Sequence, residues 1–318
     1  MSGYMLNGNG EKGPCVLVLG AMAADAKGQP AQSLQAGSST PGIVRLGIGG
    51  VGRNIAENLA RMGIHTILLS AIGDYSYGHN ILEVTSASGV DTTHVLLSDE
   101  HHTGAYIAIL DQMGAPALAI DDMTVIETLT PAIVYRKRRL FREASMVVLD
   151  ANVPPQTIQT AFKLAQRYNV PVCVDPTSAI LAQRFHPYLA DIHLMTPNLH
   201  EAQVLVGQPA QAEPDIQQLT MQLVGMGVEI AIITLSEMGL YYATSNENGR
   251  VPALNCDVVD LTGAGDALTA AVIFGLLNHF PIGEAVRLGI SAAALTIQCH
   301  ETVCSDLSLD RLYDELVI

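Results

Sequence analysis

The chain has 318 residues, a formal net charge of −15, 49% hydrophobic residues and 15% charged residues. This composition is typical of a well-buried globular α/β protein and not of a disordered chain. The acidic balance argues against a surface for nucleic-acid backbones, which needs clustered lysine and arginine. It leaves room for a small anionic ligand, because helix N-termini and Mg²⁺ can hold phosphate.

The N-terminal segment and the cysteines predict a cytoplasmic protein without a membrane partner. No apolar run is long enough to span a membrane, and residues 1–13 are polar and glycine-rich, unlike a signal peptide. We expect a disordered tail over residues 1–13 and one folded domain over residues 14–318. The five cysteines are scattered and never in C-x-x-C spacing, which indicates reduced thiols rather than a disulfide framework or zinc site.

Buried strands and helices alternate along most of the chain, which predicts an α/β fold with a mostly parallel sheet. Strands are expected at residues 15–20, 65–72, 146–150, 170–175, 192–196, 230–235 and 240–243. Helices are expected from residue 54, at 80–88, 131–141, 157–168, 199–206 and 216–226, from residue 264, and at 283–298 and 310–316.

The pattern changes between residues 94 and 121, where short apolar runs are separated by polar turns, as in β-hairpins. Together with residues 26–46, these runs predict a small antiparallel lid that covers a site and excludes water. Asp121 and Asp122 end the lid, where they can return to the site. Because exposed apolar strands can pair across a two-fold axis, we expect a homodimer through the lid.

The turn Asp260-Leu261-Thr262-Gly263-Ala264-Gly265-Asp266 leads into a helix and carries the clearest chemistry. Free backbone N–H groups at a helix start, with the helix dipole behind them, form an anion site. Asp266 would repel that anion, but it suits contact with a hydroxyl group. The layout predicts an alcohol phosphotransferase with a base for the acceptor oxygen and donors for the transferred charge. A helix start with glycines for close packing is the alternative.

Two earlier segments suit sugar hydroxyls. Asp25 lies just past the first strand, where open α/β sheets place ligand contacts. Asn54 offers a donor and an acceptor after a run of glycines that would let a sugar lie against the backbone. Gly47, Gly49 and Gly52 also match the G-x-G-x-x-G fingerprint, which leaves a nicotinamide-dependent oxidoreductase as a remote alternative.

Asn198 and Glu201 lie three residues apart in the first turn of a helix, hence on one face. An amide and a carboxylate there suit a hydrated Mg²⁺ on nucleotide phosphates. A helix-capping box explains the pair nearly as well. A further turn, Thr234 to Gly239, follows the carboxyl end of another strand.

Two of these motifs resemble the signatures of the ribokinase-like (PfkB) carbohydrate kinases. Residues 260–266 resemble D-T-x-G-A-G-D, and residues 49–56 resemble G-G-x-G-x-N-x-A. The resemblance implies a ribokinase-like three-layer sandwich with a small β lid, and a kinase that uses ATP and Mg²⁺ to phosphorylate a sugar alcohol. Residues 49–63 and 119–123 are most similar to the pseudouridine kinases of that family, which implies the 5′-hydroxyl of pseudouridine as acceptor. A kinase for another nucleoside or a ribose-type sugar, and a non-catalytic sugar-binding regulator, remain alternatives.

The family's functional residues are carried over by position. The resemblance implies Asp266 as catalytic base and the N–H groups of Gly263, Ala264 and Gly265 as anion hole. The predicted substrate contacts are Asp25, Gly50 and Asn54, to which we add Gly49, Asp122 and Asn152. The predicted nucleotide contacts are Asn198, Glu201, Thr234, Gly239, Gly263 and Gly265, with Glu201 reaching Mg²⁺ through water. A potassium ion is implied at Asp260 and Thr262, with Ser305 as a further ligand.

Overall fold

The computed structural model describes residues 13–111 and 116–314. The strands of these residues are β1 Cys15–Leu19, β2 Ala23–Pro30, β3 Gly42–Gly49, β4 His65–Leu69, β5 Ala71–Gly73, β6 Leu96–Ser98, β7 Gly104–Leu110, β8 Pro116–Asp122, β9 Met146–Asp150, β10 Val172–Asp175, β11 Leu194–Met195, β12 Ile230–Thr234, β13 Leu240–Ala243 and β14 Asn248–Val251. The α-helices are α1 Val51–Arg61, α2 Ser76–Ala87, α3 Pro131–Arg136, α4 Arg138–Glu143, α5 Pro155–Tyr168, α6 Ala179–Ala182, α7 Leu199–Val206, α8 Glu213–Gly225, α9 Ala264–Leu277, α10 Ile282–Ile297 and α11 Leu309–Asp314. Most of the predicted tail and the end of the last predicted helix lie outside the described residues.

The central sheet has the strand order β14-β13-β12-β11-β10-β9-β1-β4. Strands β12 to β4 run parallel, whereas β13 and β14 pair antiparallel at one edge. Side chains along β1 alternate between two cores, with Val16 and Val18 in one and Leu17 and Leu19 in the other. A strand buried on both faces must be apolar throughout, which is why these strands appear as continuous apolar runs in the sequence.

Helices cover both faces of the sheet. Helices α1, α9 and α10 contribute to the core on one face, and α5, α7 and α8 to the core on the other. The predicted three-layer α/β/α sandwich is therefore confirmed. Within the described parts of the chain, each helix is too short or too polar to cross a membrane.

Helix α9 follows the glycine turn and is buried almost all round, from Asp266 to Gly275. Thr269 on this helix and Thr196 beyond β11 share a hydrogen bond of 2.8 Å between their buried hydroxyls. The helix start is thus fixed against the carboxyl ends of the parallel strands, where α/β sheets bind ligands.

The lid is a four-stranded sheet in the order β3-β2-β7-β8. The outer pairs are antiparallel, as predicted, but the central pair of β2 and β7 is parallel. It is parallel because the chain crosses the main domain between β3 and β7 before it returns to the lid. The segment 94–103, which the sequence analysis included in the lid, lies outside it: β6 pairs with β5 in a separate sheet.

Cys299 and Cys304 form a disulfide, which corrects the expectation of reduced thiols for these two of the five cysteines. Helix α10 ends at Ile297 and the chain turns back at once, so the two Cα atoms lie 5.6 Å apart. This separation is normal for a disulfide. A C-x₄-C spacing predicts no pairing by itself, so the sequence carried no signal for it.

Candidate active site

Asp150, at the end of β9, organises the edge of the sheet where the site lies. Its fully buried carboxylate accepts hydrogen bonds from the N–H groups of Ala21 at 2.7 Å and Gly52 at 2.9 Å, and of Asn152 at 2.9 Å. Burial raises the pKa of Asp150, and the three N–H donors act in the opposite direction. Asp150 therefore fixes the end of β1 against the start of α1. No role was predicted for Asp150, although an acid that ends a buried strand is the sequence signal that could have identified it.

The two signature motifs meet at Asn54 and Asp266. These buried residues, 212 positions apart, are joined by a 2.8 Å hydrogen bond from Asn54 Nδ2 to Asp266 Oδ2. The guanidinium of Arg53 donates to Asn54 Oδ1 at 3.1 Å, and Arg53 is itself paired with Glu57. Because Arg53 holds the amide oxygen, the amide nitrogen of Asn54 faces Asp266.

The protonation of Asp266 is governed mainly by its burial. Burial raises the pKa of Asp266 to about 7, and the hydrogen bond from Asn54 counteracts this rise. The nearby carboxylates of Asp150 and Asp25 raise the pKa further, whereas Arg53 lowers it. A carboxylate with a pKa near neutrality can accept a proton from an alcohol at physiological pH.

Asp25 lies in lid strand β2 and is buried against the glycine run. A Cβ atom on Gly49 would overlap the Asp25 carboxylate, so only glycine allows this approach. Burial raises the pKa of Asp25 to about 6, while Lys27 and Arg53 lower it. Gly50, the N-cap of α1, has φ 94°, a conformation that favours glycine.

The start of α9 leaves open space for an anion. Gly263 caps the helix with φ 87°, and a Cβ atom there would overlap the carbonyl oxygen of Thr302. Apart from its chain neighbours and the backbone of α9 itself, no atom of the described residues lies within 4 Å of a Cβ built on Gly265. The first N–H groups of a helix have no acceptor within the helix, so those of Ala264 and Gly265 can face a phosphoryl group.

Asn198 and Glu201 form a capping box at the start of α7, the alternative that the sequence left open. Asn198 Oδ1 accepts from the N–H of Glu201 at 3.0 Å, and Glu201 Oε2 accepts from the N–H of Asn198 at 2.9 Å. The side-chain amide of Asn198 also donates to Glu201 Oε1 at 2.7 Å. Burial raises the pKa of Glu201, which the donors from Asn198 oppose. Since both carboxylate oxygens are engaged, Glu201 fits a hydrated Mg²⁺ and not a bare one.

Asp175, at the end of β10, is a buried carboxylate that the sequence analysis did not assign. Burial raises the pKa of Asp175, and the negative charges of Asp266 and Glu201 raise it further. Asp175 therefore lies within electrostatic range of both residues, while its Oδ1 accepts a hydrogen bond from the N–H of Thr177 at 2.8 Å. Among residues 13–111 and 116–314, no three His, Cys, Asp or Glu side chains converge on a metal position. A magnesium ion here would draw most of its ligands from water and phosphate.

The two remaining nucleotide candidates, Thr234 and Gly239, differ in their surroundings. Thr234, the last residue of β12, forms a bridge with Asn198, and its N–H donates to the Pro197 carbonyl at 2.9 Å. Gly239 lies in the turn between β12 and β13 with φ 87°, where a Cβ atom would overlap the Val251 carbonyl. Close strand packing explains this glycine without a nucleotide.

The remaining substrate candidates, Asn152 and Asp122, lie near a cavity of about 590 Å³ that is lined mostly by residues between 123 and 131 and between 152 and 157. Asn152 lines the cavity, and so does Asp121. The Asp122 carboxylate instead accepts hydrogen bonds from the N–H of Thr124 at 2.9 Å and from its hydroxyl at 2.6 Å. Of the two acids that end the lid, Asp121 is therefore the one available to a ligand.

The potassium ligands implied by the resemblance do not converge on a free cation position. Asp260 Oδ2 is 2.7 Å from Lys27 Nζ, and Asp260 Oδ1 accepts from the N–H of Thr262 at 2.9 Å. Ser305 is exposed, and its carbonyl accepts from Arg61 at 2.8 Å. The residues present do not fit a potassium ion at Asp260.

The G-x-G-x-x-G match has no dinucleotide-binding geometry. Gly47 lies in lid strand β3, which pairs antiparallel with β2. The fingerprint requires a parallel strand that leads directly into the helix, within a βαβ unit. The nicotinamide alternative therefore has no structural basis.

Known proteins resemble this chain along nearly its whole length. The sequence profile of the pfkB family carbohydrate kinases matches residues 15–307. The chain is 32% identical over 295 residues to pseudouridine kinase of Escherichia coli (strain K12), covering 92% of this chain and 94% of that protein. A carbohydrate kinase from Agrobacterium tumefaciens superposes with a TM-score of 0.81 at 27% identity, covering 95% of this chain and 97% of the other. Ribokinase of Arabidopsis thaliana, complexed with ribose and ATP, shares the fold, with a TM-score of 0.81, 22% identity and coverage of 96% and 99%.

Proposed function

Because the chain belongs to the pfkB family of carbohydrate kinases, phosphotransferases with an alcohol acceptor, we propose that it phosphorylates the 5′-hydroxyl of pseudouridine with ATP and Mg²⁺. One observation carries the kinase assignment: the Asn54–Asp266 hydrogen bond lies beside the open start of α9. A sugar-binding amide, a base and an anion hole are then neighbours. The pseudouridine kinase relative supports the choice of nucleoside. A different nucleoside or a ribose-type sugar is the second candidate, supported by the ribose-bound ribokinase of the same fold.

The residues divide the reaction among themselves. Asp25 and Asn54 bind hydroxyls of the sugar and present the 5′-hydroxyl to Asp266. As Asp266 takes the hydroxyl proton, the oxygen forms its bond to the γ-phosphorus and the bond to the leaving ADP oxygen breaks. The N–H groups at the start of α9 stabilise the charge on the transferred group. Glu201, with Asn198 and Thr234 nearby, would hold a hydrated Mg²⁺ through water, and the ion would neutralise charge on the phosphates.

The lid register supports the proposal of Asp121 as a residue that recognises the base. Asp25 pairs with Tyr106, and Tyr106 pairs with Asp121, so all three lie on one face of the lid. Two strand spacings separate Asp25 from Asp121 by roughly 10 Å. Pseudouridine, as a C-glycoside, carries an additional ring N–H that uridine lacks. Asp121 in the cavity is the acceptor proposed for it.

The outer face of the lid supports the proposal of a homodimer. Val44 and Leu46 on β3, Ile107 on β7, and Leu118 and Ile120 on β8 point away from the site and are 53% to 76% exposed. Five large aliphatic side chains on one small sheet form a patch typical of an interaction site. A second copy of the same face would cover it through a two-fold contact.

Substitution of Asp266 by asparagine tests the chemistry. We expect Asp266→Asn to bind nucleoside and ATP but to lower kcat by roughly 10² to 10⁴-fold, because the base is lost. Calorimetric binding and an ADP-release assay measure the two effects, with the exposed Asp191→Asn as control. If Asp266→Asn turns over at the wild-type rate, the base assignment is wrong. If the wild type releases no ADP with any nucleoside or sugar, the alternative of a non-catalytic sugar-binding regulator is favoured.

A comparison of pseudouridine with uridine tests Asp121. We expect Asp121→Asn to lower kcat/KM for pseudouridine about tenfold or more while changing that for uridine much less, because one charged hydrogen bond is lost. Asp122→Asn is the matched control, since Thr124 occupies that carboxylate. Equal losses for both nucleosides would contradict a role for Asp121 in base discrimination.

A further inference from the structure

Lys27 joins the lid to the catalytic turn. It lies two residues after Asp25 on β2, so both side chains project from the inner face of the lid. Its ammonium is 2.7 Å from Asp260 Oδ2, and the two side chains are only 9% and 15% exposed. No role was predicted for Lys27, because a lysine in a polar segment is usually solvated.

Asp260 in turn shapes the segment that leads into α9. Its second carboxylate oxygen accepts from the N–H of Thr262, and its own N–H donates to the Ile297 carbonyl at 3.1 Å. Gly263, the cap of the helix, follows one residue later. A cation beside Asp260 therefore acts on the loop that holds the anion hole in place.

The charges around this position explain why a cation is needed. Three carboxylates on this side of the site are at least partly buried: Asp25, Asp260 and Asp266. The pKa of each is shifted by a neighbouring carboxylate or by a buried cation. Lys27 and Arg53 are the buried cations that face them among the described residues. Like charges in one site disfavour ionisation, so positive charge among these carboxylates favours their charged forms.

We propose that the Lys27 ammonium supplies the positive charge at Asp260 that the family resemblance assigned to a potassium ion, so that phosphoryl transfer does not depend on potassium. A lysine ammonium is a compact charge with three donors and resembles a small monovalent cation. Since it belongs to the lid, it also ties the lid position to the catalytic turn. Lys27 is thus a positioning residue, and its effect on rate rests on the proposed kinase function.

The first test compares salts on the full-length protein. Rates with pseudouridine and ATP are measured at constant ionic strength in potassium, sodium and tetramethylammonium chloride. We expect wild-type kcat/KM to differ less than about twofold between the salts, because the cation position is already filled. A wild-type rate that rises several-fold with potassium overturns the proposal.

The second test removes the charge. We expect Lys27→Met to lose roughly tenfold or more in kcat/KM, because it leaves a buried carboxylate unpaired. Potassium or methylammonium should restore part of the loss, whereas the exposed Lys163→Met on α5 should behave as wild type. Wild-type rates of Lys27→Met in all three salts would overturn the proposal.

Thermal unfolding gives a readout that does not need activity. The wild-type midpoint should be the same in potassium and tetramethylammonium, and that of Lys27→Met should rise with potassium as the ion enters the vacated position. If potassium raises the unfolding midpoint of the wild type but not that of Lys27→Met, the proposal is overturned, because the potassium site would then depend on Lys27 and not be replaced by it. If Lys27→Met does not fold, the rates and unfolding midpoints of the wild type in the different salts test the proposal without the variant. Absence of phosphorylation with every acceptor refutes the proposed function, whereas the unfolding measurements still test Lys27.

Discussion

Among single residues, two buried carboxylates should control the dependence of activity on pH. Burial raises the pKa of Asp266 to about 7 and that of Asp25 to about 6. Both must be ionised, Asp266 to accept a proton and Asp25 to accept hydrogen bonds from hydroxyls. Since both pKa values are raised, activity is present above them and lost as the pH falls through them.

We therefore expect kcat/KM, which reports the free enzyme, to fall below about pH 7 with a slope that approaches two below about pH 6. Initial rates at low nucleoside concentration measure this profile. In Asp25→Asn, which binds more weakly, the slope should stay near one, because one ionisation is gone. A profile that is flat between about pH 5 and 8 would contradict Asp266 as the base.

The convergence of the two signature motifs could be expected from the sequence, because both motifs resemble signatures of one family. The structure brings Asp25, Gly49, Asn54 and Asp266 together as expected. The roles of Asp150 and Asp175 were not predicted, because a buried acid at a strand end can accept hydrogen bonds from backbone N–H groups as well as bind a ligand. Lys27 escaped because its partner is 233 residues away, a distance over which sequence patterns carry no information.

Among the structural elements, the loop after α10 connects both signature motifs. Thr302 within it donates from its hydroxyl to the Ile48 carbonyl at 2.6 Å, and its own carbonyl lies against Gly263. The Cys299–Cys304 disulfide closes this loop. The loop should therefore hold the glycine run and the anion hole in register.

We expect the double variant Cys299→Ser/Cys304→Ser to be destabilised by about 2 kcal/mol, the chain-entropy value for so short a loop. Its KM should rise because Thr302 is less restrained. Urea unfolding and steady-state kinetics measure these effects. Reductant should lower the free energy of unfolding of the wild type and raise its KM, and it should change neither quantity in the double variant. If neither quantity of the wild type changes, the proposed role of the disulfide is wrong.

Elements with apolar periodicity were predicted well, and the differences have physical reasons. Predicted helix 131–141 is two helices, α3 and α4, that meet at Lys137, because tertiary contacts decide where so polar a helix breaks. Strand β14, Asn248–Val251, was not predicted, because an exposed edge strand needs no apolar alternation. The parallel pairing of β2 with β7 depends on the path of the whole chain, which local patterns do not contain.

In the whole molecule, the apolar outer face of the lid should determine the oligomeric state. We expect the wild type to be a dimer and Leu46→Glu to be a monomer, because a carboxylate would be buried opposite its own symmetry mate. Light scattering after size-exclusion chromatography measures the mass. Ile180→Glu, at a residue 86% exposed on α6, is the control. A monomeric wild type would contradict the proposed interface.

The long separation between Asn54 and Asp266 has a consequence for synthesis on the ribosome. At roughly 5–20 residues per second, the 212 residues between them take about 10 to 40 seconds to translate. During that time the nascent chain carries Asp25, Lys27 and Arg53 without the carboxyl-terminal turn that completes their surroundings. A chain stalled just before residue 260 would therefore contain every described strand but lack the catalytic turn and α9, so it could not hold nucleoside in catalytic geometry. Catalytic competence should appear abruptly, with the last stretch of the polypeptide.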